Sequence, residues 1–177
     1  MAKKRAVKHY VGVVDFSEGV ICVTDPCYKP GTWCRKEDVA ITPGKYDCFA
    51  YSAEDQVWGY RIRKARIVLC DAEAKKYVKQ QTMGSWESIA YIGVDAGLAG
   101  FFNNDIDLSD DGTWYDVCDS LYGTGTIDLK TSTKNAYLLN DERFGNGFFT
   151  RSGFGDGEYG VYAVYKDEKI VAVEVRF

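Results

Sequence analysis

Apolar and polar residues alternate through much of the chain, and this period of two, more than any helical period, predicts the elements. Val7 to Phe16 alternates loosely and reads as a strand. Val20 to Val23 is a second, and the short turn Ser17-Glu18-Gly19 between them predicts a hairpin. Val39 to Ile41 reads as a short edge strand. Lys45 to Ala53 alternates, with Tyr46, Cys48 and Ala50 on one face and Asp47, Phe49 and Tyr51 on the other. Val57 to Asp71 is the longest strand-like segment, and Trp86 to Val94 returns to strand character. Tyr159 to Tyr165 and Ile170 to Phe177, joined by a polar turn at Lys166 to Lys169, predict a C-terminal antiparallel hairpin in the middle of the core. Two segments carry a helical period. One is 71–81, with Asp71 as N-cap; the other is Thr113 to Leu121, with Trp114, Val117, Cys118 and Leu121 at helical spacing. Between them, Asn103 to Asp111 reads as an acidic, solvated loop, and Lys29 to Cys34 as a compact loop around Trp33. Ala136 to Asn140 is a brief apolar segment. The expectation is a β-rich α+β protein: a single domain over 7–177 with a mostly antiparallel twisted sheet or sandwich and one or two short helices, after a frayed basic terminus at 1–6.

Composition narrows the function classes. The chain has 177 residues, 46% of them hydrophobic and 15% aromatic, which suits one domain with a real core. Thirteen Tyr and eighteen Gly against three Pro suit strands joined by tight turns. A net charge of −4 disfavours a general binder of long nucleic acid or of anionic membrane. No apolar run is long enough to span a bilayer, and the basic start is not followed by a signal-peptide core, so the expected location is the cytoplasm. The six cysteines form no C-x-x-C pair. Cys22, Cys48 and Cys70 sit in apolar runs as small hydrophobes, while Cys27 and Cys34 bracket a loop and are left open as a pair or metal ligands. The single histidine, His9, excludes His-rich metal sites and disfavours Ser-His or Cys-His catalysis unless His9 itself is the base. The acidic run from Asp105 hints at calcium. The EF-hand loop, however, needs Gly at its sixth position and Glu at its twelfth, where this chain has Asp110 and Asp116. No metal and no cofactor is expected.

The most informative stretch is Arg151-Ser152-Gly153-Phe154-Gly155-Asp156-Gly157-Glu158-Tyr159-Gly160. Three glycines at every second position surround one carboxylate, which requires either positive φ or a neighbour too close for a side chain. Two other bends carry lone carboxylates: Asp25-Pro26-Cys27-Tyr28 and Val94-Asp95-Ala96-Gly97. Each has an ordinary explanation as a turn closed by an aspartate. Each also presents chemistry at the end of a strand. Arg61 and Arg63 share one strand face, where they are either solvated or an anion site, since guanidinium groups recognise phosphate and carboxylate bidentately.

Taken in order, the DPCY, VDAG and terminal SG-aromatic-GDG-x-Y motifs resemble those of an uncharacterised bacterial and phage domain of unknown function, from about Gly12 to Phe177. Phe154 stands where that domain often has Trp or Tyr, and Gly160 where it often has Pro. The resemblance implies a β-rich α+β fold and no particular activity.

Two functions follow as expectations. The first is a non-catalytic small-ligand-binding protein for an anionic or nucleotide-like molecule. Its site would draw on Asp25, Tyr28, Arg61, Arg63, Asp95, Arg151, Ser152, Gly153, Phe154, Gly155, Asp156, Gly157 and Tyr159, with Tyr28, Phe154 and Tyr159 stacking the ligand. The phage occurrence of the similar domain extends this to sequestering a nucleotide-like host-defence signal in the host cytosol. The second is a metal-dependent hydrolase using the aspartates. A structural or protein-interaction module without a small ligand, or a homo-oligomer, also fits the turns.

Overall fold

The structure, a computed structural model, describes residues 6–133 and 135–177, with the side chains of 131–133 left out. Most of the basic segment expected at 1–6 therefore lies outside the described residues. The strands are β1 (Val7–Phe16), β2 (Val20–Thr24), β3 (Lys36–Ala40), β4 (Gly44–Asp55), β5 (Gly59–Leu69), β6 (Glu87–Val94), β7 (Leu98–Asn103), β8 (Leu129–Thr133), β9 (Ala136–Asp141), β10 (Gly145–Arg151), β11 (Gly157–Lys166) and β12 (Lys169–Arg176). The helices are α1 (Ala72–Gln80) and α2 (Asp111–Leu121), with one 3₁₀ turn at Met83–Ser85. The first sheet has the order β1-β4-β5-β12-β11-β6 and the second β3-β2-β7-β10-β9-β8. All observed strand pairings are antiparallel. The fold is thus β-rich α+β, two facing antiparallel sheets that do not close into a barrel.

Alternation decides which side chains meet between the sheets. Tyr46, Cys48 and Ala50 of β4, Val161 and Ala163 of β11 and Val173 and Val175 of β12 face Ile21 and Val23 of β2, Phe101 of β7 and Phe148 of β10 in the central core. The next residues along β7 and β10, Phe102 and Phe149, point the other way and pack beneath α2 with Val117, Ile106 and Leu108. On the opposite outer face, Ala74 and Val78 of α1 cover Val68, Val164, Val171 and Ala172. Asp71 and Asp110 cap the two helices, accepting from Ala74 N at 2.8 Å and Thr113 N at 3.0 Å.

Several expectations need correction. β1 and β2 are not a hairpin pair: β1 pairs with β4 in the first sheet and β2 with β3 and β7 in the second, so the turn at 17–19 carries the chain between sheets. The loop at 103–111 is not simply solvated, because Ile106 and Leu108 plug the second core. Trp33 is 83% exposed and organises nothing. Its neighbour Arg35 does so instead. The Arg35 guanidinium is buried against the carbonyls of Asn104 (2.9 Å) and Tyr28 (3.4 Å) and pairs with Glu37 at 3.1 Å. The C-terminal hairpin β11–β12 is internal to its sheet but off its centre, with only β6 outside it.

Candidate functional site

β2, β7 and β10 are neighbours in the second sheet, so the end of β2, the start of β7 and the end of β10 lie at one end of it. At this end the chain crosses from β6 to β7 through Asp95-Ala96-Gly97 and from β10 to β11 through Ser152 to Asp156. The three motif loops therefore meet, joined by hydrogen bonds. Asp25 is fully buried; one carboxylate oxygen accepts from Cys27 N (3.0 Å), the other from Asp95 N (2.9 Å) and Ala96 N (2.7 Å). The Ser152 N–H then donates to the Gly97 carbonyl at 2.8 Å. Burial pushes the Asp25 carboxyl above the usual carboxylate range, opposed by those backbone N–H groups. Such a carboxylate, with both oxygens taken, is a clamp between loops rather than a group presented to a ligand, which corrects its place in the expected site.

The terminal loop explains its own glycines. A Cβ on Gly153 would collide with the carbonyl oxygen of Ile62, so Gly153 lets this loop lie directly against β5. Gly155 has open space around it but a φ of +81°, a left-handed turn that a side chain would strain. The Ser152 hydroxyl donates to the Gly155 carbonyl at 2.7 Å, and the Tyr159 hydroxyl donates to the same oxygen at 2.9 Å.

Pressing the loop onto β5 forms a cleft of about 600 Å³ lined by Trp58, Tyr60, Arg61, Ile62, Gly97, Asn135, Arg151, Ser152, Gly153 and Gly155. Of the expected residues, Arg61, Arg151, Ser152, Gly153 and Gly155 meet here. Trp58 and Tyr60, 61% and 66% exposed, supply the rings. The Arg61 Nε donates to the Trp58 carbonyl at 2.9 Å, and its guanidinium lies 5.9 Å from the Trp58 ring. Hydrogen bonding to Tyr137, and then to Tyr122, raises the pKa of Arg151 further, so its charge is held in place at any working pH.

The other expected residues lie elsewhere. Tyr159 does not stack a ligand: its ring meets Phe177 edge-on at 5.1 Å in the core. Phe154 lies under the Arg63 guanidinium, 4.4 Å away, and Arg63 is paired with Asp55 at 2.8 Å. Tyr28 is outside the cleft lining; its hydroxyl lies close to Gly93, and burial raises its pKa to about 12. Asp156 and Gly157 are exposed and outside the cleft lining. Asp95 contributes its backbone to the clamp.

Trp58, Tyr60 and Asn135 escaped the sequence reading. The signal was present: Trp-Gly-Tyr follows the polar turn Glu54-Asp55-Gln56 after a single residue, Val57, where bulky rings have no core to enter. Asp55 fixes that turn by accepting from Val57 N (2.9 Å) and Trp58 N (3.1 Å). Among the described residues no group of three or more His, Cys, Asp or Glu is placed to hold a metal ion. Nor does any helix among them have the length and apolarity to cross a membrane. The cysteines are free thiols, and burial raises the pKa of the Cys27 thiol, the opposite of an activated nucleophile. No protein-family model, no curated protein and no solved structure matches this chain.

Proposed function

We propose that this chain is a non-catalytic binding protein for a small, planar, anionic ligand of the nucleotide type, held between the β4–β5 turn and the Ser152–Gly155 loop. The observation that carries this reading is the cleft of about 600 Å³, with two exposed rings (Trp58, Tyr60) and two guanidinium groups (Arg61, Arg151) beside a glycine-shaped backbone. Rings offer stacking to a base, and guanidinium groups offer paired hydrogen bonds to a phosphate. The volume suits a mononucleotide-sized molecule. The likeness of the three motifs to a bacterial and phage domain adds the biological reading, sequestration of a nucleotide-like host-defence signal. The hydrolase alternative loses support from Asp25, whose oxygens are both occupied by backbone N–H groups.

Isothermal titration with the four common nucleoside 5′-monophosphates tests the proposal. The expected result is saturable binding of at least one, weakened about tenfold by Trp58→Ala and by Arg61→Met, with an unchanged thermal midpoint. Absence of binding, or binding indifferent to both substitutions, overturns it.

A further inference from the structure

The outer face of the first sheet is divided between two kinds of surface. The residues packed under α1, Val68, Ala172 and Val164, form one cross-strand row. The rows beside it are charged. The nearer one runs Tyr10, Phe49, Arg66, Glu174 and Tyr162 across β1, β4, β5, β12 and β11. The next runs Lys8, Tyr51, Lys64, Arg176 and Gly160 across the same strands.

One buried carboxylate serves this surface. Glu174, with a side chain 1% exposed, accepts from Arg66 (2.6 Å), Arg176 (2.6 Å) and Lys64 (3.3 Å). Lys8 adds a further cation, 3.7 Å above the Phe49 ring. The rings cushion these charges without neutralising them: Arg176 lies 3.8 Å from Tyr162, Arg66 4.3 Å from Trp86 and Lys64 4.5 Å from Tyr51. Asp47 is also nearby but is ion-paired with Lys75. The Nη2 of Arg176 is buried and has no hydrogen-bond partner. The cations also disfavour one another. Burial, then Arg66 and Arg176, lower the pKa of Lys64 against the pull of Glu174. Burial and Arg66, with Lys79, lower that of Lys8 against Asp47.

A surplus of pre-positioned cations at a surface is complementary to an oxyanion. Its width says which kind. Neighbouring strands are about 4.8 Å apart, so β1 and β12, three strands apart, are separated by roughly 14 Å. The charged tips lie closer together than their backbones, Lys8 over Phe49 of β4 and the other three around Glu174, a patch that linked phosphates cover more fully than a single one. We propose that this face binds a phosphate chain of the pyrophosphate or tripolyphosphate type, at a site separate from the Trp58–Arg61 cleft and independent of the function proposed for it.

The test is calorimetric titration of the whole chain with sodium pyrophosphate and with tripolyphosphate, against sodium chloride at matched ionic strength. Saturable binding is expected, weakened about tenfold by Lys64→Met and by Arg176→Met and unchanged by Arg61→Met. Glu174→Gln gives a second readout through stability. It leaves the cations unmatched, so its thermal midpoint should fall in chloride and rise with pyrophosphate more than that of the wild type. The proposal is overturned if wild-type protein shows no saturable binding, if binding ignores both Lys64→Met and Arg176→Met, or if chloride reproduces the effect.

Discussion

Asp25 binds three backbone N–H groups from two loops, and Gly153 lies against the backbone of β5; together they set the shape of the cleft. Asp25→Ala strands those N–H groups in a buried site and should cost about 3–5 kcal/mol, measured by urea unfolding. Gly153→Ala forces the loop off Ile62 and should cost about 1–3 kcal/mol while weakening ligand binding. Trp58→Ala is the contrasting case: an exposed ring at a turn, whose loss should affect binding and leave stability within about 0.5 kcal/mol. The carboxyl of Asp25 also gives a pH dependence of definite sign. Its folded pKa is raised, so its contribution to stability is fully present below the unfolded value of about 3.9 and is lost as pH rises through the folded one.

At the scale of elements, other carboxylates act in the opposite sense. Hydrogen bonds from Thr113 to Asp110, from Thr126 to Asp116 and from Arg143 to Asp141 hold these groups below the usual range. A lowered folded pKa contributes stability that is present above about 3.9 and lost as pH falls through the folded values. These groups cluster on α2 and on the β9–β10 turn. Acid should therefore loosen α2 and the β9–β10 turn, as it should the β4–β5 turn, where hydrogen bonds from Val57 and Trp58 lower Asp55; Asp141→Asn should flatten the stability curve below pH 4, as followed by circular dichroism. Asp110→Ala removes the α2 cap and should lower the thermal midpoint at neutral pH.

Legibility also varied by element. Strands buried on one face, such as β4 and β12, and both helices could be read from periodicity, with the Asp71 cap of α1; the Asp110 cap of α2 was not, because it falls in a run of aspartates that reads as a solvated loop. β7 and β10 could not. Phe101-Phe102 and Phe148-Phe149 fill two cores at once, one between the sheets and one under α2, so their apolar positions do not alternate. The glycine-rich loop was legible as a place where backbone approaches backbone. The rings beside it were not, because Val57 to Asp71 reads as one continuous strand, whereas Trp58 stands in the turn before β5 and Tyr60 at its exposed start.

Across the whole molecule, the motif loops meet because the chain changes sheets at one end of the sandwich. Local patterns do not say which strands lie side by side, so this closure was not legible; it follows from β2, β7 and β10 being neighbours. The two-sheet packing also dictates thiol chemistry. Cys22, Cys34 and Cys48 are buried, and burial raises the Cys22 pKa to about 12. These three should react with an aromatic disulfide reagent only after unfolding, as counted by absorbance in buffer and in urea.

The central claim is that the Trp58–Arg61 cleft holds a planar anionic molecule in the cell. The most direct measurement is mass spectrometry, native and then denaturing, of the protein as purified from cells, beside a Trp58→Ala/Arg61→Met variant. The account predicts a released aromatic, phosphate-bearing small molecule from the wild type and none from the variant. A bare wild-type mass, or the same molecule retained equally by both, would contradict it.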